Sequence, residues 1–244
     1  MRMRETATVV ASSFYSRPAD ELAPALLGCV LVRVLEDGTR LSGRIVETEA
    51  YLGVRDRAAH SFGGRRTPRN EAMYARAGTA YVYFTYGMHY CFNVVCGAVD
   101  EPVAVLVRAL EPIEGAAVMR LHRAARRAAR KTAPRGAMLT NEVGNAGDRH
   151  GVQRDGRASR RASALRDEEL CNGPAKLCQA LAIDRALNGA DLIAGEAIWI
   201  EHGDGPLPAS RIGRSARIGV EYAEQWAKRR LRWFVKGSRC VSGL

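Results

Sequence analysis

Lysine is nearly missing from this sequence: Lys131, Lys176, Lys228 and Lys236 are the only four in 244 residues. Arginine supplies the rest of the 37 basic positions, which stand against 26 acidic ones. A GC-rich genome accounts for arginine over lysine and for the abundance of Ala and Gly. It does not account for a net charge of +11, which favours a polyanionic partner such as nucleic acid. Also missing is any apolar run near the roughly 20 residues that a membrane-spanning helix needs. The first residues, Met1-Arg2-Met3-Arg4-Glu5-Thr6, carry charge with no apolar stretch behind them, so no secretory signal and an intracellular location are expected. None of the six cysteines forms a C-x-x-C pair or stands beside a suitably spaced histidine, which argues against a zinc site. Cys91 and Cys96 fall in an apolar run, where a buried thiol is the ordinary state. What is present is globular: 47% hydrophobic and 26% charged residues exclude a wholly disordered chain, and the length is ample for a buried core.

Asp20 to Leu27 predicts a short helix closed by Gly28, with Leu22, Ala25 and Leu26 as its apolar stripe. Cys29 to Leu35 and Leu41 to Tyr51 predict two strands joined at Asp37-Gly38, a strong hairpin signal. A second hairpin is expected from Tyr81 to Tyr86 and His89 to Cys96, turning at Gly87-Met88. Val103 to Leu110 predicts another strand. Glu114 to Lys131 predicts a helix with Val118, Leu121, Ala125 and Ala128 on one side and Arg123, Arg127 and Arg130 on the other, which is most often a solvated face and less often a phosphate-contacting one. Asn141 to Ala164 holds four glycines and five arginines without periodicity, and is expected to be a mobile loop. A helix from Gly173-Pro174 through Ala182 and strands at Ala197 to Glu201 and Leu231 to Lys236 complete the pattern. No repeat appears, and paired hairpins favour a single α+β domain around a mostly antiparallel sheet over βαβ alternation.

The strand Leu41 to Tyr51 places Ile45, Glu47, Glu49 and Tyr51 on one face and Val46, Thr48 and Ala50 on the other. Two carboxylates on one side are most often a solvated strand face. Against that stand Tyr51 on the same face and the loop Ser61 to Asn70, whose Arg65, Arg66 and Arg69 suit phosphates. Tyr81, Tyr83 and Tyr86, with Tyr90 and Phe92 across the turn, make an aromatic hairpin. Such a hairpin is usually well-packed sheet, and otherwise a platform on which bases stack.

Taken together, Arg44-Ile45-Val46-Glu47-Thr48-Glu49-Ala50-Tyr51-Leu52-Gly53, Ala58-Ala59-His60-Ser61, Thr67-Pro68-Arg69-Asn70 and Tyr81-Val82-Tyr83-Phe84-Thr85-Tyr86-Gly87-Met88 resemble the alkyladenine (3-methyladenine) DNA glycosylase family. The resemblance continues in order through Asn93, Val105 to Pro112, Gly173 to Leu181 and Arg232 to Gly237. It implies one glycosylase domain over 1–244, with a curved sheet, flanking helices, a protruding hairpin and an Arg/Gly-rich insertion at about 135–164. It implies an enzyme that flips alkylated or deaminated purines out of duplex DNA and hydrolyses the N-glycosidic bond, without metal or redox cofactor. Glu49 matches the glutamate that activates water, and Arg108 the arginine beside it. Tyr51, His60 and Tyr83 match the base pocket, and Asn93 the residue that crowds out normal guanine. Tyr86 resembles the side chain wedged into the minor groove, with Met73 nearby, and Arg65 and Lys176 would contact phosphates. Glu47 is expected to be structural. The expected partner is duplex DNA carrying damaged purines, with no membrane as a partner, and the protein is expected to be a monomer in an intracellular, DNA-containing compartment: cytoplasm or nucleoid in a prokaryote, nucleus in a eukaryote. The competing reading is a nucleic-acid-binding module that keeps the fold without the catalysis.

Overall fold

Pro18 caps the second of two short helices, α1 (Ser12–Tyr15) and α2 (Ala19–Ala25), and Asp20 and Glu21 in the first turn of α2 complement its dipole. Pro24 stands in its last turn, so α2 stops earlier than its apolar stripe suggests. The chain then leaves through Gly28 at φ 91°, a conformation that costs glycine little. Strands β1 (Val30–Val34) and β2 (Arg40–Tyr51) follow as the expected hairpin, its turn held by the Thr39 amide donating to Asp37 Oδ1 at 2.9 Å. The computed structural model describes residues 8–85, 89–132 and 165–243. The hairpin tip with Tyr86 and the insertion at 135–164 lie outside them.

The remaining strands are β3 (Ala80–Thr85), β4 (His89–Cys96), β5 (Val103–Glu114), β6 (Ile198–Glu201), β7 (Ile212–Ser215) and β8 (Arg232–Val235). They form an antiparallel sheet in the order β3-β4-β5-β2-β1-β6, with β8 pairing β2 beside Glu47 to Glu49 and β7 pairing β8. The central strand β2 therefore pairs β1 near its start and β8 near its end. Its register with β5 shifts at Ser42/Gly43 and twice between Ile45 and Thr48. Such irregularities bend a strand and increase its twist, and they curve the sheet just before Glu49. β5 runs beyond the expected Leu110, through Pro112 to Glu114; Pro112 sits opposite Gly43 at a register shift, where a missing N–H is tolerated.

Alternation sorts the sheet's two faces. Val46 and Ala50 of β2, Phe92 and Val94 of β4, and Val105 and Val107 of β5 point into the main core with Leu22 of α2 and Leu26 just after it. Thr48 faces the same way, donating to the Ala23 carbonyl at 2.8 Å. The residues between them, Glu47, Glu49, Tyr51, Asn93, Leu106 and Arg108, take the opposite face. All six cysteines are buried free thiols.

Helices α3 (Ala116–Thr132), α4 (Asp167–Leu170) and α5 (Pro174–Ala180) cover the core side. α5 ends before Ala182, which takes φ 50°. The buried side of α3 is not the one its apolar residues suggest. Leu121 is 54% exposed and Ala125 is exposed, whereas Met119, Arg123 and Ala124 are buried. Arg123 is drawn inward because α4 ends beside it: its guanidinium donates to the Leu170 carbonyl at 2.7 Å and the Glu169 carbonyl at 3.3 Å. These carbonyls at a helix end have no partner within the helix. Among the described residues no helix is long and apolar enough to cross a membrane.

Candidate active site

The face of β2 carrying Glu47 and Glu49 is not solvated, as two strand carboxylates ordinarily would be. Both are 0% exposed. Burying a carboxylate is costly unless it is paired and hydrogen-bonded, and each of these is. Glu49 accepts from the Ile218 amide at 2.8 Å and the Tyr51 hydroxyl at 3.0 Å, and its Oε1 pairs with Arg108 Nη1 at 3.1 Å. Burial pushes the Glu49 carboxyl above its ordinary 4.5, against the pull of Arg108 and the two donors. Burial also holds the Tyr51 hydroxyl well above its usual range, reinforced by Glu49, so it remains a donor. Glu47 has a fuller set of partners: Arg108 Nε at 2.9 Å, Arg232 Nε at 2.7 Å, the Ser242 amide at 2.7 Å and the Ser242 hydroxyl at 2.9 Å.

In front of Glu49 and Arg108 opens a cleft of about 270 Å³, walled by Tyr51, His60, Tyr81, Tyr83, Asn93 and Tyr222. Tyr83 meets the edge of the His60 ring, centroids 4.5 Å apart at 80°, and His60 Nδ1 shares a 2.8 Å hydrogen bond with the Tyr81 hydroxyl. Burial lowers the His60 pKa to about 4, helped by Arg69 and Arg65, so the ring is neutral at physiological pH. Asn93 is anchored by donating to the Tyr81 carbonyl at 3.0 Å. Behind Tyr51 lies Arg217, its guanidinium carbon 4.8 Å from the ring centre. A buried pair with Asp56, at 2.5 and 2.8 Å, holds Arg217 there, and Asp56 also accepts the Leu52 and Ala58 amides. Among the described residues no three His, Cys, Asp or Glu side chains gather where they could hold a metal ion.

A profile described as methylpurine-DNA glycosylase matches residues 13–239 of this chain. The chain belongs to that family. It is 46% identical to the DNA-3-methyladenine glycosylases of Mus musculus and Homo sapiens, over 232 and 231 residues, 94% of this chain in each case. It spans only 60% and 66% of those two proteins. The putative 3-methyladenine DNA glycosylase of Clostridium acetobutylicum is 41% identical over 231 residues, 95% of this chain and 96% of that protein.

In this methylpurine-DNA glycosylase relative, Arg108, Tyr51, His60, Tyr83 and Asn93 line one cleft, and Glu49 lies buried directly behind it, bonded to Tyr51 and Arg108. Arg65 and Lys176 do not line it. Met73 is 2% exposed, packed among Tyr74, Tyr81 and Val95, and also lines the cleft. Arg65 is exposed on its loop. Lys176 sits in the first turn of α5 and donates to Asn172 at 2.7 Å. The aromatic hairpin divides by face: Tyr81 and Tyr83 join the cleft, while Phe92 is in the main core and Tyr90 packs against it. The segment Arg217 to Val220 was not legible as functional. It has no periodicity and no charged pair in sequence, yet it supplies an amide to Glu49, a cation behind Tyr51 and one wall of the cleft.

Proposed function

We propose that the chain is a monofunctional DNA glycosylase of base-excision repair that removes alkylated purines, and that Glu49 is its general base. The observation that carries this is a buried glutamate, fixed by Arg108, Tyr51 and the Ile218 amide, at the back of an aromatic cleft. A purine nucleotide turned out of the duplex stacks between Tyr51 and Tyr83, since aromatic faces attract a π-system and most strongly an electron-poor one. Neutral His60 offers a hydrogen bond to the base edge. Asn93, unable to swing because of its bond to Tyr81, crowds an exocyclic amine on normal guanine.

The C1′–N bond then breaks, its electron pair leaving with the base, and the sugar passes through an oxocarbenium-like cation. Glu49 stabilises that positive charge. A water held between Glu49 and Arg108 gives its proton to Glu49 as its oxygen bonds to C1′. A carboxyl raised by burial is a stronger base than a solvated one, provided it is ionised at the working pH. Arg65 and Lys176 hold phosphates, and Tyr86 fills the gap left in the stack.

Glu49→Gln keeps the shape and cannot accept the proton. Its single-turnover release of 3-methyladenine from methylated duplex DNA is expected to fall by about 10²–10⁴-fold, with duplex affinity unchanged. A variant that releases base at the wild-type rate removes Glu49 from the mechanism. Wild-type protein that binds the duplex but releases nothing leaves the non-catalytic binding module as the reading.

A further inference from the structure

Arg108 is divided between two carboxylates. Its Nε donates to Glu47 Oε1 at 2.9 Å, its Nη1 lies 3.1 Å from Glu49 Oε1, and its Nη2 donates to Ser242 Oγ at 3.2 Å. A guanidinium is planar, so fixing the Nε edge fixes where Nη1 points. Glu47 is itself neutralised from the other side. Arg232 donates to it at 2.7 Å and also grips the Ser242 carbonyl at 2.7 Å. Arg108 borders the cleft, whereas Glu47, Arg232 and Ser242 do not. Glu47 and Arg232 are 0% and 4% exposed, so their charges act through little water.

We propose that Glu47, clamped by Arg232 and Ser242, is a positioning residue for Glu49: it orients Arg108, and its pairing with Arg232 sets how much of the Arg108 charge reaches the reacting carboxylate. The inference rests on the reading of Glu49 as the general base. Two buried carboxylates share two buried arginines, so Glu49 ionises at a pH set by that balance. The other groups around it belong to several elements. Tyr51 is on β2, Tyr83 on β3 and Cys91 on β4, and Arg217 lies on the segment before Ile218. Arg232 on β8 stands opposite Glu49 in register. Tyr51, Tyr83 and Cys91 are neutral, and Arg217 is bound by Asp56. Glu47 and Arg232 are therefore the levers on Arg108.

A purely structural cluster and a charge-balancing one differ in the pH profile of the reaction. The acid limb of single-turnover 3-methyladenine release from methylated duplex DNA reports the protonation of Glu49 in the bound complex. Glu47→Gln leaves two arginines with one carboxylate between them, and the midpoint of the acid limb is expected about one pH unit lower. Arg232→Gln leaves Arg108 shared by two carboxylates, and the midpoint is expected about one pH unit higher. Ser242→Ala, which removes a hydroxyl and no charge, is expected to slow release without moving the midpoint. All three are assayed at a temperature where circular dichroism shows the variant folded. Should Glu47→Gln fail to fold, a raised midpoint in Arg232→Gln beside an unmoved one in Ser242→Ala still supports the proposal. Midpoints of the two charge variants that move together, or not at all, overturn it. Glu49→Gln in parallel separates the two readings. Wild-type activity in that variant sinks the assignment of Glu49, whereas an inactive Glu49→Gln with no divergence sinks only the role of Glu47.

Discussion

His60 shows how one side chain ties the cleft to the stability of the fold. Its pKa of about 4 in the folded protein lies below the 6.5 of an exposed histidine, because burial penalises the charged ring and Arg69 and Arg65 add repulsion. Between those two values the unfolded chain binds the extra proton, so stability rises with pH across that window and is lost on acidification through it. The shift corresponds to a loss of up to ~3 kcal/mol between about pH 6.5 and pH 4. Urea denaturation of the wild type is expected to show it as a falling midpoint, and His60→Gln should flatten that part of the curve. Parallel curves for the two proteins would mean that His60 is accessible to protons in the fold. On the proposed reading, the same neutrality lets the ring hydrogen-bond to a base without adding positive charge beside a cationic lesion.

At the scale of elements, Arg123 carries a helix junction. Removing its side chain leaves the Glu169 and Leu170 carbonyls at the end of α4 facing a void. Arg123→Ala is expected to cost about 2 kcal/mol, the range for lost hydrogen bonds to a charged group. Equilibrium denaturation measures it, and a cost near zero would mean that water replaces the guanidinium. This junction also marks the limit of sequence reading. Strands were legible because the Asp37-Gly38 turn and the alternation of β2 are local signals. The inward face of α3 was not, because Arg123 is placed by carbonyls 46 and 47 residues away. The site divides likewise. Glu49, Tyr51, His60, Tyr83, Asn93 and Arg108 lie in long distinctive words, whereas the work of Asp56 and Arg217 depends on a pairing across 161 residues. Glu47 and Glu49 looked like a wet strand face because alternation reports which side a residue takes, not what covers it.

The whole molecule carries +11, mostly on arginine. Each phosphate neutralised on binding releases counterions, so affinity for duplex DNA falls with salt in proportion to the number of contacts. Arg65 is exposed on its loop and has no part in the cleft. Arg65→Ala is expected to lower the slope of log K against log salt by about one, weakening damaged and undamaged duplexes alike. A change confined to damaged duplex would place Arg65 at the lesion and not on the backbone.

The buried thiols have a consequence for survival. Electrophiles that methylate purines also attack sulfur, and they attack the thiolate. Burial pushes Cys29 and Cys240 up to about 11 and Cys171 up to about 12, and holds Cys91, Cys96 and Cys178 above their ordinary value as well. A repair enzyme of the proposed kind works while such agents are in the cell, and this one keeps its own sulfur out of their reach. Iodoacetamide at neutral pH is expected to label the native protein slowly at all six positions and the urea-unfolded protein rapidly. Fast labelling of any native cysteine would expose a weak point.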